Sequence, residues 1–528
     1  MSNVPQTEVE VRAQSIENLR ALGVDPYGVS FTSTIRSTDV HNLCEAYAED
    51  LADPLRPIGR MPREIAGRIT SKRVMGKMSF IDILDDCGPV QIVLSRDDLP
   101  EGFYNDVFKK NIQIGDIIGV EGVLYITQKG EASIKASKIH LLGKSSRPIP
   151  FPKVADGETH YEVKDLDYLQ RNRYIDLLTN PASMKMVQDR ASILRSIRNT
   201  MYDARYTEVE TPMLQPVYGG AHARPFTTHH NALDQDMFLR VAPELYLKRL
   251  MVGGFRGVYE IGKNFRNEGV DRTHNPEFTM LELYVAYKDA EWLMDFTEKL
   301  IDECIVSVTS ENSNDEWNRA VYAGLDANVS RDGYNIRRNP YRRLHFLAAL
   351  NFRIGAAFET IVRKDDVERV KTYIHEQTKA HIEGDSMADV LDAAFSQFIG
   401  PTLTTPTFVT SFPTCLSPLA KQTVGDPFTT QRFELYIGGN EIANGFTELN
   451  DPVEQRARFE EQDRAYGDGI DEDYIYALEH GLPFCVGLGI GIDRLVMAIT
   501  GAESIRDVIA FPTLRTLPTP VKLVNVQE

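Results

Sequence analysis

The chain is 528 residues long, with 42% hydrophobic and 25% charged residues, which indicates a globular protein of two or three domains. It contains no apolar run near the roughly 18 residues of a membrane-spanning helix and does not open on a basic segment followed by an apolar run, so we expect a cytoplasmic protein without a membrane partner. A net charge of −18 argues against a protein coated in nucleic acid, and five scattered cysteines without Cys-x-x-Cys spacing predict free thiols.

Residues 1–60 form the first predicted segment, a helical extension with one helix over Glu8–Leu22 and no assigned chemistry. Near its end the local charge reverses, because seven basic residues and one acid lie between Arg56 and Lys77. A basic patch on an acidic protein suits a polyanion that approaches one surface.

Residues 61–147 predict a small β-barrel of the oligonucleotide-binding kind. The pattern changes there to five short β runs with turn signals between them: Glu64–Arg68, Met78–Leu84, Val90–Leu94, Ile117–Tyr125 and Ala132–His140. Phe80 is a candidate platform for an unpaired base, and the amide of Gln91 could contact a base edge. The alternative for Phe80 is a place in the barrel core.

Residues 148–164 are the predicted linker, and 165–528 the second domain. This domain begins with a predicted helix over Pro181–Ala204 and a strand over Tyr206–Glu210. A further helix begins at Pro243 and ends at Gly253, with Glu244 in its first turn. The Glu244 carboxylate could complement the helix dipole or bind a cation.

Residues 257–287 predict two strands joined by a polar loop. Tyr259 and Leu281 have the parity of a core face, whereas the opposite parity carries polar, aromatic and methionine side chains: Glu260, Arg266, Phe278, Met280, Glu282 and Tyr284. A solvated hairpin face is the alternative. It would leave Phe278 and Met280 in water, so we favour a binding face.

The remaining chain predicts a helical insertion of unknown role at about 310–400, then a hairpin with Gly438-Gly439 at its turn. A two-residue turn puts Glu434 and Glu441 on one face of the hairpin. Two neighbouring carboxylates suit a hard cation such as Mg²⁺. The alternative is a hairpin face that only contacts solvent. Asn444 joins that face only if the ribbon twists or bulges at Gly445.

Three segments together resemble the signature motifs of class II aminoacyl-tRNA synthetases. The first is the helix and strand that end before Pro212, and the second is Phe265-Arg266-Asn267-Glu268 with His274-Asn275-Pro276-Glu277-Phe278. The third contains Gly487, Gly489, Gly491, Asp493 and Arg494. The resemblance implies a multidomain α/β (α+β) protein with an N-terminal OB-fold β-barrel and a catalytic domain built on a largely antiparallel sheet flanked by helices. It also implies a homodimer.

The resemblance further implies residue roles in amino-acid activation by ATP with Mg²⁺. Arg266 and Arg494 are the expected catalytic residues, the first at the α-phosphate and the second at an outer phosphate. The other expected ATP contacts are Glu268, His274, Asn275, Phe278 and Glu434, with Mg²⁺ on Glu434 and Glu441. The expected contacts to a tRNA anticodon are Arg68, Arg73, Phe80 and Gln91.

An acidic pocket indicates the amino acid. A carboxylate at Glu448 would attract a lysine side chain and repel an aspartate, which favours the lysine-specific members of the class and their partners L-lysine, ATP and tRNA(Lys). The expected lysine contacts are Gly220, Glu244, Arg266, Glu282, Tyr284, Asn444, Phe446 and Glu448. The alternatives are an aspartate or asparagine ligase, a synthetase-like protein that modifies another protein, and an RNA-binding protein with an inactive catalytic domain.

Overall fold

A computed structural model describes residues 7–28, 30–52, 60–155, 158–160, 162–221, 223–309, 341–466 and 470–516. The first part of the predicted insertion, 310–340, lies outside the described residues, as do 517–528. The chain forms two compact units whose main segments are Met1–Asp165 and Leu166–Lys522. None of the helices in the described ranges has the length and apolar character needed to cross a membrane.

The first unit is a closed five-stranded barrel with helices packed on it, which confirms the predicted barrel. Its strand order is β1-β2-β3-β5-β4. The strands are β1 (Arg63–Met75), β2 (Met78–Asp85), β3 (Gly88–Ser95), β4 (Ile117–Ile126), β5 (Ala132–Gly143) and a short ribbon, β6 (Lys153–Ala155) and β7 (Glu158–His160). The helices are α1 (Glu8–Ala21), α2 (Ser37–Ala46), α3 (Ala48–Ala52) and α4 (Lys109–Asn111).

The N-terminal helices complete the barrel core. Helix α1 begins with a capping box in which the Thr7 hydroxyl accepts from the Glu10 backbone and the Glu10 carboxylate accepts from the Thr7 backbone. Leu19, Val40 and Cys44 are then buried in the same apolar cluster as the barrel strands.

Strand β1 continues seven residues beyond the predicted end at Arg68. A bulge at Thr70 keeps the strand paired with β2, because Ile69 pairs with Ile83 and Ser71 with Asp82. The extra residue breaks the polar and apolar alternation on which the sequence prediction depended.

The second unit is built on an eight-stranded sheet in the order β14-β15-β18-β19-β20-β13-β12-β8. Adjacent strands are antiparallel except β14 with β15 and β12 with β8, so the predicted largely antiparallel sheet is confirmed. The sheet strands are β8 (Thr207–Glu208), β12 (Gly257–Phe265), β13 (Glu277–Ala286), β14 (Arg342–His345), β15 (Thr407–Thr410), β18 (Arg432–Ile437), β19 (Asn440–Thr447) and β20 (Cys485–Gly491). Smaller pairings contain β9 (Leu214–Gln215), β10 (Thr227–His230), β11 (Gln235–Leu239), β16 (Gln422–Thr423) and β17 (Asp426–Thr430).

Helices flank this sheet as predicted. They are α5 (Leu166–Arg171), α6 (Arg173–Thr179), α7 (Pro181–Asp203), α8 (Glu244–Val252), α9 (Ala290–Thr309), α10 (Phe346–Ile354), α11 (Phe358–Val362), α12 (Val367–Thr378), α13 (Met387–Phe398), α14 (Pro452–Tyr466), α15 (Glu472–Glu479), α16 (Ile492–Thr500) and α17 (Ile505–Val508). The predicted bounds of α7 and α8 differ from these by one or two residues, as expected for helix ends. The predicted strand over Tyr206–Glu210 shortens to β8.

The two faces of the sheet have different roles. Leu281, Leu283 and Val285 of β13 face the main apolar core together with side chains of α7, α9 and α16. Glu282 and Tyr284 alternate with them and point to the opposite face. The predicted parity of the hairpin is therefore correct, and the polar face is available for a site.

The bulge that brings Asn444 onto the face of Glu441 lies at Ile442 and not at Gly445. Leu435 pairs with Ala443 and Tyr436 with Glu441, so Ile442 is the extra residue of β19. Ile442 and Ala443 are consecutive and both buried in the core, which returns Glu441 and Asn444 to the same face. The extra residue can be apolar because the core accommodates the neighbouring side chains of Ile442 and Ala443 together.

Candidate active site

Two cavities meet on the polar face of the sheet. The first is lined by Gly220, Glu244, Glu434 and Phe446, and the second by Glu268, His274, Asn275, Phe278 and Arg494. Arg266, Glu441 and Asn444 line both cavities. A guanidinium therefore lies where the contents of the two cavities would meet.

Arg266 is prepared for an anionic ligand. It follows β12 directly, and its guanidinium carbon lies 5.1 Å from the centre of the Phe278 ring. Its Nε is buried without a hydrogen-bond partner among the described residues. A buried unpaired donor of a permanent cation is costly, so a ligand acceptor would stabilise this arrangement.

Arg494 is held at the far side of the second cavity. Its Nη1 donates to the Glu441 carbonyl oxygen at 3.1 Å, and its Nη2 donates to His274 Nε2 at 2.8 Å. The other ring nitrogen of His274 lies 2.8 Å from an Asp271 carboxylate oxygen, which makes Nδ1 the protonated nitrogen.

Asp493 and Asn275 support the site through the fold. Asp493 accepts from Arg190 of α7 at 2.6 Å and from the Thr279 backbone at 2.8 Å, so it joins helix α7 to strand β13. Asn275 donates to the Glu277 carbonyl and accepts from the Thr513 backbone. Asn275 lines the cavity, but its amide group is already engaged, whereas Glu268 lines it from an exposed loop position.

The two carboxylates predicted to hold Mg²⁺ line the first cavity together. Glu434 is buried, and burial together with the charge of Glu441 raises its pKa to about 7. Arg432 donates to Glu434 at 2.6 Å and Tyr436 donates to it at 2.9 Å. A cation added beside Glu434 and Glu441 would relieve their mutual repulsion, so the donor set fits a hard divalent ion.

The insertion forms one wall of this cavity. Ala388, Asp389 and Asp392 of α13 line it, and Phe395 of the same helix packs on Tyr436 of β18 at 5.7 Å between ring centres. Sequence analysis assigned no role to this segment, because an amphipathic helix does not reveal which element covers its apolar face.

The predicted lysine contacts fall into two layers. Gly220, Glu244, Arg266, Asn444 and Phe446 line the cavity, as stated above. Glu282, Tyr284 and Glu448 are buried, with Glu448 fully so, and Tyr284 donates to Glu282 at 2.9 Å. The acidic residues therefore lie in the interior of the protein.

A side chain that the sequence analysis missed connects these layers. The Lys248 ammonium is fully buried and lies 2.5 Å from Glu244 Oε1 and 2.5 Å from Glu448 Oε2. The spacing of Glu244 and Lys248, four residues apart on a helix, was the available signal. Contact with Glu448 depends on the tertiary fold.

Crowding of acids changes their proton affinity. Burial, with added repulsion from Glu244, raises the pKa of Glu282 and of Glu448 to about 8. Lys248 opposes this shift in both groups. Burial alone would lower the pKa of Lys248, but Glu244 and Glu448 hold it well above its ordinary value. The pocket thus has a high affinity for positive charge.

Two glycines give this pocket its shape. Gly220 has φ +86°, and a side chain there would place its Cβ 3.0 Å from Glu244 Cβ. A Cβ on Gly487 would overlap Glu448 Oε1 and lie 2.6 Å from Tyr284 Cε1. The first glycine of the third motif therefore makes room for the acidic residues of the pocket.

The predicted anticodon contacts lie on the outside of the barrel. Phe80 is partly exposed, pairs across strands with the exposed Arg73, and so is not in the barrel core. Gln91 is partly exposed on β3 and pairs with Asp82. Arg68 is engaged by the fold, because it donates to the Gly115 carbonyl at 2.7 Å.

The basic run near the barrel is only partly a surface patch. The Lys72 ammonium turns inward and donates to the Phe108 and Ile112 carbonyls at 2.7 and 2.5 Å, and burial lowers its pKa to about 8. Arg73 and Lys77 remain exposed, while Arg56 lies outside the described residues.

Comparison with known proteins agrees with this geometry. Residues 165–515 match the family of tRNA synthetases class II (D, K and N), and residues 64–142 match the OB-fold nucleic acid binding domain. The chain is 43% identical over 517 residues to a lysine–tRNA ligase of Aeromonas hydrophila subsp. hydrophila, with 96% of each chain covered. It is 42% identical to the lysine–tRNA ligases of Aeromonas salmonicida and Syntrophomonas wolfei, again over 96% of each chain. The chain therefore belongs to the class II tRNA synthetases of the D, K and N group.

Proposed function

We propose that this chain is a lysine–tRNA ligase, which activates L-lysine with ATP and transfers it to the 3′ end of tRNA(Lys). The relatives named above carry that activity in their names. The observation that carries the proposal most directly is the cluster of Glu244, Glu282 and Glu448 below a cavity that also contains Arg266. A substrate with cationic amines and one carboxylate matches this distribution of charge.

The proposed first step joins two anions. A lysine carboxylate oxygen attacks the α-phosphorus of ATP, a carbon–oxygen–phosphorus link forms, and the bond from the α-phosphorus to the pyrophosphate oxygen breaks. Arg266 supports this step because it lines both cavities and would contact the carboxylate and the α-phosphate together. The substrate carboxylate is the nucleophile, so the mechanism needs no protein nucleophile.

Other residues bind ATP in this proposal. Phe278 and Arg494 would enclose the adenine, with Glu268 and His274 at its edge and outer phosphates. Glu434 and Glu441 would hold Mg²⁺, which supplies positive charge for the phosphates when bound. The fixed positions of Arg494 against His274 and Glu441 support these roles, since a preorganised cation loses little entropy on binding.

The barrel provides the proposed anticodon contact. Phe80 would stack on a base, and Arg73, Arg68 and Gln91 would contact the phosphates or base edges nearby. The partly exposed ring of Phe80 beside the exposed Arg73 supports this surface.

Two further assignments complete the proposal. We infer a homodimer from the resemblance of the α7 and β8 segment to the first class motif, and sedimentation of the purified protein tests it.

We infer a cytoplasmic enzyme because the five cysteines are free, as expected for a reducing compartment.

Exchange of labelled pyrophosphate into ATP tests the activity. We expect exchange with lysine but not with aspartate or asparagine, in the absence of tRNA. Exchange with aspartate or asparagine alone would reject the assignment of the amino acid, and no exchange with any of the three would reject amino-acid activation.

A further inference from the structure

The buried ammonium of Lys248 suggests a role that goes beyond the contacts of the substrate, and it rests on the proposed function. Lys248 lies on α8, one turn after Glu244, and its side chain is fully buried. A buried ammonium is costly unless it is paired, and Lys248 is paired with Glu244 and Glu448 at 2.5 Å each. Such a group affects the charge state of both carboxylates.

Glu448 is the residue that depends most on this pairing. Its carboxylate is fully buried, and the Lys248 ammonium forms an ion pair with Oε2 at 2.5 Å, while neither Oε1 nor Oε2 accepts a hydrogen bond from the described residues. Oε1 points to the space above Gly487, next to the Tyr284 ring. Oε2 is therefore paired by charge with Lys248, whereas Oε1 has no partner that the described residues supply.

The other neighbours of Glu448 do not favour its charge. The titratable groups around it are Glu244 and Lys248 on α8, Glu282 and Tyr284 on β13, Tyr474 on α15 and Cys485 on β20. The charges of Glu244 and Glu282 raise the pKa of Glu448, as does burial, and Lys248 lowers it. Without Lys248 the pKa of Glu448 would lie further above neutral pH, and an incoming ammonium would displace its proton less easily.

We propose that Lys248 is a positioning residue that orients Glu448 and favours its ionisation when a cationic substrate enters, and that it thereby gives the pocket its selectivity for an amino acid with a cationic side chain. A lysine substrate brings an α-ammonium and an ε-ammonium. Together with Lys248 these make three cations for Glu244, Glu282 and Glu448, while the substrate carboxylate pairs with Arg266. The charges of the occupied pocket then balance.

The variant Lys248→Met tests the proposal, because it keeps an unbranched side chain of similar size and removes the charge. In lysine-dependent pyrophosphate exchange at pH 7, we expect the KM for lysine to rise about tenfold or more while kcat changes less. From pH 8 to pH 9 the KM of the variant should fall more steeply than that of the wild type, because Glu448 without Lys248 ionises at a higher pH. Exchange with norleucine, a neutral analogue with the same four-carbon side chain but no amine, should not weaken.

A structural role for Lys248 predicts different results. Loss of packing would raise the KM for lysine by a similar factor at every pH and would weaken exchange with norleucine equally. Either result overturns the proposal. Lys110→Met is the matched control, because it removes an exposed lysine that pairs with Asp106 at the same helical spacing in the barrel unit, and it should leave exchange unchanged.

A second comparison decides the question if Lys248→Met fails to fold. Glu448→Gln is compared with the double variant Lys248→Met, Glu448→Gln, which removes the buried charge pair as a unit. If Lys248 acts through Glu448, the double variant should differ from Glu448→Gln by less than about threefold in kcat/KM for lysine. A further tenfold loss would show an independent role and contradict the proposal. Lack of lysine-dependent exchange by the wild-type protein would instead reject the proposed function itself.

Discussion

The two cavities that meet at Arg266 differ in how the protein prepares them for charge. On the ATP side, the partly exposed Arg494 at the start of α16 is bonded to the exposed His274 of the loop between β12 and β13. On the amino-acid side, Glu282 and Glu448 are buried, and the cation that contacts Glu448 is the equally buried Lys248. One cavity uses solvent-accessible groups to bind a large polyanion, whereas the other uses buried groups whose proton affinity depends on their neighbours.

This difference has a physical reason. ATP carries several charges that remain partly hydrated, so partly exposed guanidinium groups, Arg266 in a loop and Arg494 in the first turn of α16, can bind it and release the product. A lysine side chain has a single charge at the end of an apolar stem. Selection for it needs a carboxylate in a low-dielectric environment, where an uncharged or negative competitor is strongly disfavoured.

Arg266→Ala should have the largest effect, because it removes the residue that both cavities share. We expect kcat/KM in lysine-dependent pyrophosphate exchange to fall by about 10²- to 10³-fold, as for other charge-stabilising donors at a reacting centre. Arg272→Ala is the control, since Arg272 lies in the same loop, is exposed and contacts Glu503. Equal rates for Arg266→Ala and the wild type, with both folded, would contradict the mechanism.

Gly487→Ala should weaken the binding of lysine and leave the binding of ATP nearly unchanged. The new Cβ would displace the Glu448 carboxylate and the Tyr284 ring, so we expect the KM for lysine to rise roughly 30-fold, as for a disturbed buried charge pair of about 2 kcal/mol. The KM for ATP should change by less than about threefold. Steady-state exchange with each substrate varied in turn measures both values. A larger effect on ATP than on lysine would show that Gly487 serves the ATP side.

Phe80→Ala lies outside both cavities and should leave them intact. If the ring stacks on an anticodon base, aminoacylation of tRNA(Lys) should weaken about tenfold in kcat/KM, at the lower end of a stacking energy of about 1–3 kcal/mol. Pyrophosphate exchange without tRNA should not change. The control is Tyr27→Ala, which removes another exposed aromatic ring from the same unit. Equal losses in the two variants would argue against a specific stacking site.

The pH should affect the amino-acid side more than the ATP side. Glu282 and Glu448 have pKa values of about 8 in the empty pocket, so below that pH each tends to hold a proton that an incoming ammonium must displace. Lysine binding should therefore strengthen as the pH rises, by roughly fivefold from pH 7 to pH 8 for each proton released.

Calorimetric titration of the enzyme with lysine at pH 7 in two buffers of different ionisation enthalpy measures this proton release directly. We expect protons to pass from the protein to the buffer. Uptake of protons, or no transfer, would mean that Glu282 and Glu448 are already ionised in the empty pocket.

The sequence by itself determined the local structure and most candidate side chains. Alternation in 257–287 predicted β12, β13 and the polar face that carries Arg266, Glu282 and Tyr284, because a period of two is a local property of the strand. The Gly438-Gly439 turn fixed the hairpin around Glu434 and Glu441 for the same reason.

Only the tertiary structure decided which of these residues share an environment. Lys248 and Glu448 are 200 positions apart and meet because α8 packs beneath the segment after β19. The bulge lies at Ile442 and not at Gly445, because the core accommodates two adjacent apolar side chains there. Lys72 points away from the basic surface, because its ammonium donates to carbonyl oxygens at the end of a helical segment. Burial and long-range pairing set these outcomes, and neither leaves a periodic signal in the chain.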